Sequence, residues 1–173
     1  MGRLIRLGLV LFCMSLSSCG AIEFFIEDRV PVLTEFDGGH RGATAQLRFV
    51  GSPKNPSSFC LVFEGPWLVK FDQERHARVL GDGGYDTITH KMVNNGVSAQ
   101  FRLQVTEEDG DLIVDELVNQ GEIWSGGFGR TTKILTSKSL ERKTYIARLK
   151  AIKDTPEYEG LTVHFQVGGT RHW

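Results

Sequence analysis

Along most of the chain, apolar and polar residues alternate with a period of two. Ala45, Leu47 and Phe49 alternate with Gln46 and Arg48, and Phe101, Leu103 and Val105 with Arg102, Gln104 and Thr106. Tyr145, Ala147 and Leu149 alternate with Arg148 and Lys150, and Leu161, Val163, Phe165 and Val167 with Thr162, His164 and Gln166. One apolar face and one polar face per segment is the pattern of half-buried antiparallel strands. Shorter runs predict further strands near residues 30–36, 59–64, 86–91, 111–118 and 130–135. Turn signals separate these runs: Asp37-Gly38-Gly39, Asp82-Gly83-Gly84, Asn94-Asn95-Gly96, Asp109-Gly110 and Gly126-Gly127. Asp109-Gly110 sits between two strand-like runs and predicts a hairpin. Many short strands at this spacing imply a β-sandwich or a barrel.

One segment breaks the pattern. Asp72 to Gly81 offers an N-cap residue, a run of helix formers and a glycine stop, which predicts a short helix crossing between sheets. A second local motif is Leu140-Glu141-Arg142-Lys143-Thr144-Tyr145, which resembles the tyrosine corner of Greek-key sandwiches. In that corner the tyrosine hydroxyl bonds back to the backbone, so Leu140 and Tyr145 are read as fold residues. Lys143 stands where glycine is usual, so the match is partial.

The first residues carry a different signal. Arg3 and Arg6 precede an apolar run from Leu7 to Leu16 that is too short to span a bilayer as a final anchor, and suits the core of a signal peptide. The run ends in Leu16-Ser17-Ser18-Cys19-Gly20, which resembles the bacterial lipobox. That reading divides the chain into a signal peptide over residues 1–18, a lipid-anchored tether over 19–29 and a sandwich domain over 30–173. Cys19 would take the lipid. Each buried methylene contributes about 0.8 kcal/mol, so several acyl chains would hold the protein to a membrane. Gly20 follows the cysteine where inner-membrane lipoproteins often have aspartate, so the expected location is the periplasmic side of the bacterial outer membrane.

Charge and cysteine content narrow the function classes. The 173 residues carry 20 Lys+Arg against 21 Asp+Glu, a formal net charge of -1. No excess of cations exists to release counterions from nucleic acid, so nucleic acid is not an expected partner. Hydrophobic residues at 40% and charged residues at 24% describe an ordinary globular domain. The cysteines are Cys13, Cys19 and Cys60. With Cys13 removed and Cys19 lipidated, Cys60 has no disulfide partner, and its apolar neighbours Phe59, Leu61, Val62 and Phe63 predict a buried, inert thiol.

The sequence contains no strong catalytic motif. His40, His76, His90, His164 and His172 form no ligand pair at metal-binding spacing and read as surface residues. The acidic run Glu107-Glu108-Asp109-Gly110-Asp111 lacks the spacing of a calcium loop and reads as a hairpin tip. Gly126 to Lys133 lacks the Gly-Lys-Ser/Thr ending of a phosphate loop and leads into a strand, so it reads as a flexible loop. Gly96-Val97-Ser98-Ala99-Gln100 misses the last glycine of a nucleophile elbow. No cofactor or metal is therefore expected. Trp124, Phe128 and Arg130 combine aromatic and cationic groups and are the candidate contacts for a partner.

The lipobox, Arg78-Val79-Leu80-Gly81, the Leu140–Tyr145 corner and Asp154-Thr155-Pro156-Glu157-Tyr158-Glu159-Gly160-Leu161 occur in this order. Together they resemble a family of proteobacterial lipoproteins whose domain has no assigned function. The resemblance covers most of the chain after the lipobox, and its motifs are turn and core patterns of modest specificity. It implies an all-β, immunoglobulin-like antiparallel β-sandwich of about 7–9 strands with one short crossover helix. It also implies an envelope location, and it brings no catalytic residues. The expected function is that of a non-enzymatic, outer-membrane-anchored, periplasmic protein-binding module, such as an immunity or inhibitor protein against a periplasmic effector. The alternatives are a structural or accessory lipoprotein of an envelope secretion or transport complex, and a carbohydrate-binding or hydrolytic domain.

Overall fold

A computed structural model of the chain describes residues 31–66, 72–81, 85–86, 91–92, 96–121, 123–127 and 129–169. Residues 1–18 and 19–29, read from sequence as a signal peptide and a tether, lie outside the described residues with Cys19 and His172, as do His90, Phe128 and the side chain of Trp124.

The elements follow in the order β1 (Val32–Glu35), β2 (Thr44–Val50), β3 (Ser57–Glu64), α1 (Gln73–Leu80), β4 (Tyr85–Asp86), β5 (Lys91–Met92), β6 (Gln100–Glu107), β7 (Leu112–Asn119), β8 (Ile123–Gly127), β9 (Arg130–Lys138), β10 (Thr144–Ala151) and β11 (Thr162–Gly169). Two antiparallel sheets form an all-β sandwich. One has five strands in the order β1-β11-β3-β9-β8, the other four in the order β2-β10-β6-β7, and β4 and β5 make a separate ribbon. The alternating residues do what their period requires: Ala45, Leu47, Phe49, Phe101, Leu103, Val105, Tyr145, Ala147 and Leu149 are all buried on the inner face of the four-stranded sheet. Phe59, Leu61, Phe63, Val163, Phe165 and Val167 meet them from the other sheet. Helix α1 lies on the path from β3 in the first sheet to β6 in the second, as the crossover expectation requires.

Three local expectations are corrected. The run near 86–91 is not one strand, because Tyr85–Asp86 pairs with Lys91–Met92 as a two-residue ribbon. Gly126 to Lys133 is not a flexible loop. Gly126 and Gly127 pair with Thr131 and Arg130 across a hairpin that turns at Gly129, whose φ is 81°. The ladder to β9 supplies the order that a Ser-Gly-Gly sequence does not signal. Finally, His164 is not a surface histidine. Its side chain is 19% exposed, its Nε2 lies 3.8 Å from Glu64, and its buried Nδ1 has no partner. The outer face of β3 is closed as well, with Cys60 1% and Val62 0% exposed, and burial pushes the Cys60 thiol up to about 12.

The Leu140–Tyr145 corner is held by a close approach. Tyr145 is 2% exposed, its hydroxyl is hydrogen-bonded to the backbone of Glu141, and its ring stacks on Phe49 at 5.6 Å. Gly51 donates its N–H to the Lys143 carbonyl at 2.9 Å. A Cβ on Gly51 would overlap the Glu141 carbonyl oxygen and come within 2.7 Å of the Tyr145 ring. Lys143 needs no glycine's freedom, since its side chain turns outward to Glu107 at 2.9 Å.

Gly51→Ala is therefore expected to destabilise the domain by about 1–3 kcal/mol, the usual cost of overpacking, whereas Tyr145→Phe loses only a hydroxyl bond of about 1 kcal/mol. Urea denaturation checks both, and an alanine at Gly51 without cost would remove the close approach from the account.

Candidate binding cleft

The sandwich has two distinct poles. Strand β1 leaves Pro31 at one pole and runs to Phe36 at the other. The far pole carries the β1–β2 and β10–β11 connections, because Glu35 pairs with His164 and Thr162 pairs with Glu64 at the same end of the sheet. Between these two connections opens a cleft of about 630 Å³.

Backbone bonds set its walls. Gly38 N donates to the Phe36 carbonyl at 2.8 Å, and Thr155 N donates to the Gly39 carbonyl at 2.8 Å, tying the two loops together. Asp154 Oδ1 accepts from Arg41 N at 2.8 Å. The 3-10 turn Pro156–Tyr158 then directs the Tyr158 ring onto Phe63, with centroids 5.0 Å apart. Both Phe36 and Tyr158 are buried and form the floor. Gly38 fits closely over the floor: a Cβ there would sit 3.1 Å from the Phe36 ring.

The lining is acidic. Glu35, Asp37, Asp154 and Glu159 line the cleft, and His40 is the one basic side chain in the lining. His40 Nδ1 lies 2.9 Å from both carboxylate oxygens of Asp37. That hydrogen bond, then the Asp37 charge, raises its pKa above the ordinary 6.5, and Asp154 adds to the rise. A cavity with an apolar floor and a carboxylate rim favours a cationic group carrying an apolar stem, such as a lysine or arginine side chain. No group of three or more His, Cys, Asp or Glu among the described residues is placed to hold a metal ion.

Behind the cleft floor lies a buried polar pin. Asp72 caps α1 by accepting from Arg75 N at 3.0 Å, and Gly81 ends the helix at a φ of 88°. Lys133, 0% exposed on the inward face of β9, donates its ammonium to the Leu80 carbonyl at the helix C-terminus. Gln120 links the same helix end to the floor. Its Nε2 donates to the Val79 carbonyl at 3.3 Å and its Oε1 accepts from the Tyr158 hydroxyl. Burial pushes Lys133 down to about 8 and raises the Tyr158 phenol far above its usual range. His76, 3.3 Å from the Thr131 hydroxyl, is lowered by burial and by the Lys133 charge.

Of the residues singled out by sequence, Arg130 sits at the pole that carries the cleft but outside its lining. Its Nε lies 3.7 Å from Glu64 and its Nη2 donates to Gln166 at 3.4 Å. Trp124 is in β8 by backbone. The cleft residues Glu35, Asp37, His40, Asp154 and Glu159 were not identified, since they come from two turns that meet only in the fold. Among the described residues, no helix is long and apolar enough to cross a membrane.

Two measurements test this electrostatic account. Asp37→Asn is expected to bring the His40 pKa back toward 6.5, read by NMR titration of its ring; an unchanged pKa would separate the pair. For Lys133 the folded pKa lies below the unfolded 10.5, so the unfolded chain binds more protons between about pH 8 and 10.5, and stability rises with pH across that window. Lys133→Met should flatten the rise in urea titrations at the two ends of the window.

The model of the family described as a domain of unknown function, DUF5625, matches residues 34–169, and the chain belongs to that family. No curated protein matches it in sequence. Among solved structures, a crystal structure of a protein from Sulfurospirillum deleyianum is similar in fold, with a TM-score of 0.62, 18% identity, and coverage of 83% of this chain and 99% of that one.

Proposed function

We propose that this member of the DUF5625 family is a lipid-anchored periplasmic protein-binding module that acts without catalysis. In this reading residues 1–18 are removed and Cys19 carries the lipid. The outer membrane then holds the domain through residues 19–29. The cleft receives a basic segment of a protein partner, in the manner of an immunity or inhibitor protein that occludes an effector.

The observation that carries the reading is the acidic cleft: Glu35, Asp37, Asp154 and Glu159 line it above the buried rings of Phe36 and Tyr158. A carboxylate rim speeds encounter with a basic surface and rejects an acidic one.

The test is a gentle-detergent pull-down of the tagged full chain from its own envelope, read by mass spectrometry. Cys19→Ala and Glu35→Lys/Glu159→Lys versions run beside it. The expected result is one dominant soluble partner at near-equal stoichiometry, kept by Cys19→Ala and weakened at least about tenfold by the double charge reversal, an effect the size of a lost charge pair. A set of machine components that disappears with Cys19→Ala would overturn the reading in favour of an anchored structural subunit.

A further inference from the structure

The chain carries a formal net charge of -1, yet its charges are not evenly spread over the two sheets. The outward positions of β2, β10, β6 and β7 hold four cations, Arg48, Arg102, Arg148 and Lys150, against one carboxylate, Asp115. The register crowds three of these cations together. Lys150 stands directly across from Arg102, and Arg148 is the next outward residue along β10. Like charges placed opposite each other destabilise a sheet. Asp115 offsets Arg102, which donates to both of its oxygens at 2.6 Å, and Arg48 is paired with Glu108 at 2.8 Å. Arg148 and Lys150 have no such relief. Among the described residues neither meets a carboxylate, and Arg148 donates instead to the Gln46 amide oxygen at 3.0 Å.

The surroundings of the cluster say what it meets. Strands β2 and β7 are the two margins of this sheet, and each carries an outward aliphatic side chain, Val50 at 53% and Leu117 at 62% exposure. Among the described residues, no outward position of the four strands holds an aromatic ring, whereas protein partners anchor on Trp and Tyr. The cations stand on an open sheet face and none of them lines the cleft. An open cationic face with aliphatic margins matches the headgroup layer of an anionic bilayer. There phosphates attract the cations, and aliphatic side chains reach the boundary with the acyl chains.

We propose that the outer face of the four-stranded sheet is a docking surface for an anionic phospholipid bilayer, with Arg102, Arg148 and Lys150 meeting headgroup phosphates. A phosphate between Lys150 and Arg102 turns their repulsion into two attractions. Gln46 keeps its amide N–H groups for the same oxygens, because its Oε1 accepts from Arg148. The inference goes beyond the cleft and depends on the lipid-anchor reading only for where the bilayer lies. A lipid at Cys19 would keep the domain near a surface, and the sheet face decides which side of the domain lies on it. Docking of this kind uses none of the residues of the cleft.

An environment-sensitive fluorophore on Leu117→Cys of the full chain reads the contact. Native Cys60 is buried, and the labelled wild-type chain supplies the background for the remaining cysteines. Vesicles of phosphatidylcholine alone are compared with vesicles that also contain phosphatidylglycerol. On the mixed vesicles the label is expected to brighten and to be quenched by nitroxide-bearing headgroups; on the zwitterionic ones it should stay dark. Raised salt should reverse the response. Arg148→Glu/Lys150→Glu should need at least about tenfold more anionic lipid for the same response, as the loss of two cations near an anionic surface requires. Its far-UV circular dichroism spectrum should be unchanged, as suits two exposed side chains. Flotation of the same chain with phosphatidylcholine vesicles reads the Cys19 anchor separately, since an acyl chain inserts without regard to headgroup charge. A label that responds equally to both vesicles, or to neither, would overturn the proposal, as would a response that the charge reversal leaves intact. So would a label that responds to a soluble acidic polysaccharide or to an envelope protein but not to phosphatidylglycerol.

Discussion

Everything in this sandwich rests on one line of aromatic contact between the two sheets. Tyr145 of β10 stacks on Phe49 of β2, Phe49 meets Phe59 of β3 edge-on at 5.8 Å, and Phe59 stacks with Phe165 of β11 at 6.5 Å. The line thus starts in the four-stranded sheet and ends in the five-stranded one. Burial of each ring contributes on the order of 2–3 kcal/mol, and well-placed ring pairs add about 0.5–1.5 kcal/mol. Its position fixes the pole where the chain arrives, because Tyr145 stands next to the corner that Gly51 closes. A second pair of rings, Tyr158 on Phe63, does the same work beneath the cleft. The cleft floor is therefore part of the core, and the loops above it need no packing of their own to keep their place.

Helix α1 poses a different problem. A short helix between two sheets ends with carbonyl groups that lack intrahelical partners, and burying them unpaired costs more than the helix gains. Lys133 of β9 and Gln120, just past the end of β7, meet that demand, one at Leu80 and the other at Val79. Gly96 and Gly121 allow the approach: a Cβ on Gly96 would press on the backbone of Leu80 and Gly81, and one on Gly121 would overlap the Ile134 carbonyl. The charge of Lys133 is costly in the core, which is why its pKa falls, yet an apolar residue there would leave the Leu80 carbonyl without that donor. Because Gln120 also accepts from Tyr158, the helix end and the cleft floor are mechanically one unit.

The period-two signal made the sandwich legible wherever one face meets water. It succeeds on β2, β6 and β10, where the outward residues Arg48, Arg102 and Arg148 remain at the surface. It fails on β3, buried on both faces, where sequence shows only an apolar run, and on β11, where His164 and Gln166 look solvent-facing but are mostly covered. It also fails on β8, whose small residues carry no alternation. Lys133 was unreadable for a related reason: a cation within a strand run points outward by default. The cleft was invisible for another. Its carboxylates come from residues 35–37 and 154–159, and the bond from Arg41 to Asp154 spans 113 positions. Each turn alone is an ordinary polar turn, and only the neighbouring strands β1 and β11 bring the two together.

That separation in sequence also sets what the cleft can tolerate. A site assembled from two turns over a shared aromatic floor can change its rim without disturbing its base, because the rim side chains of Glu35 and Glu159 do not enter the core, while Phe36 and Tyr158 do. Charge on the rim is thus free to be matched to a partner, and His40 sits among these groups with its pKa raised by its bond to Asp37.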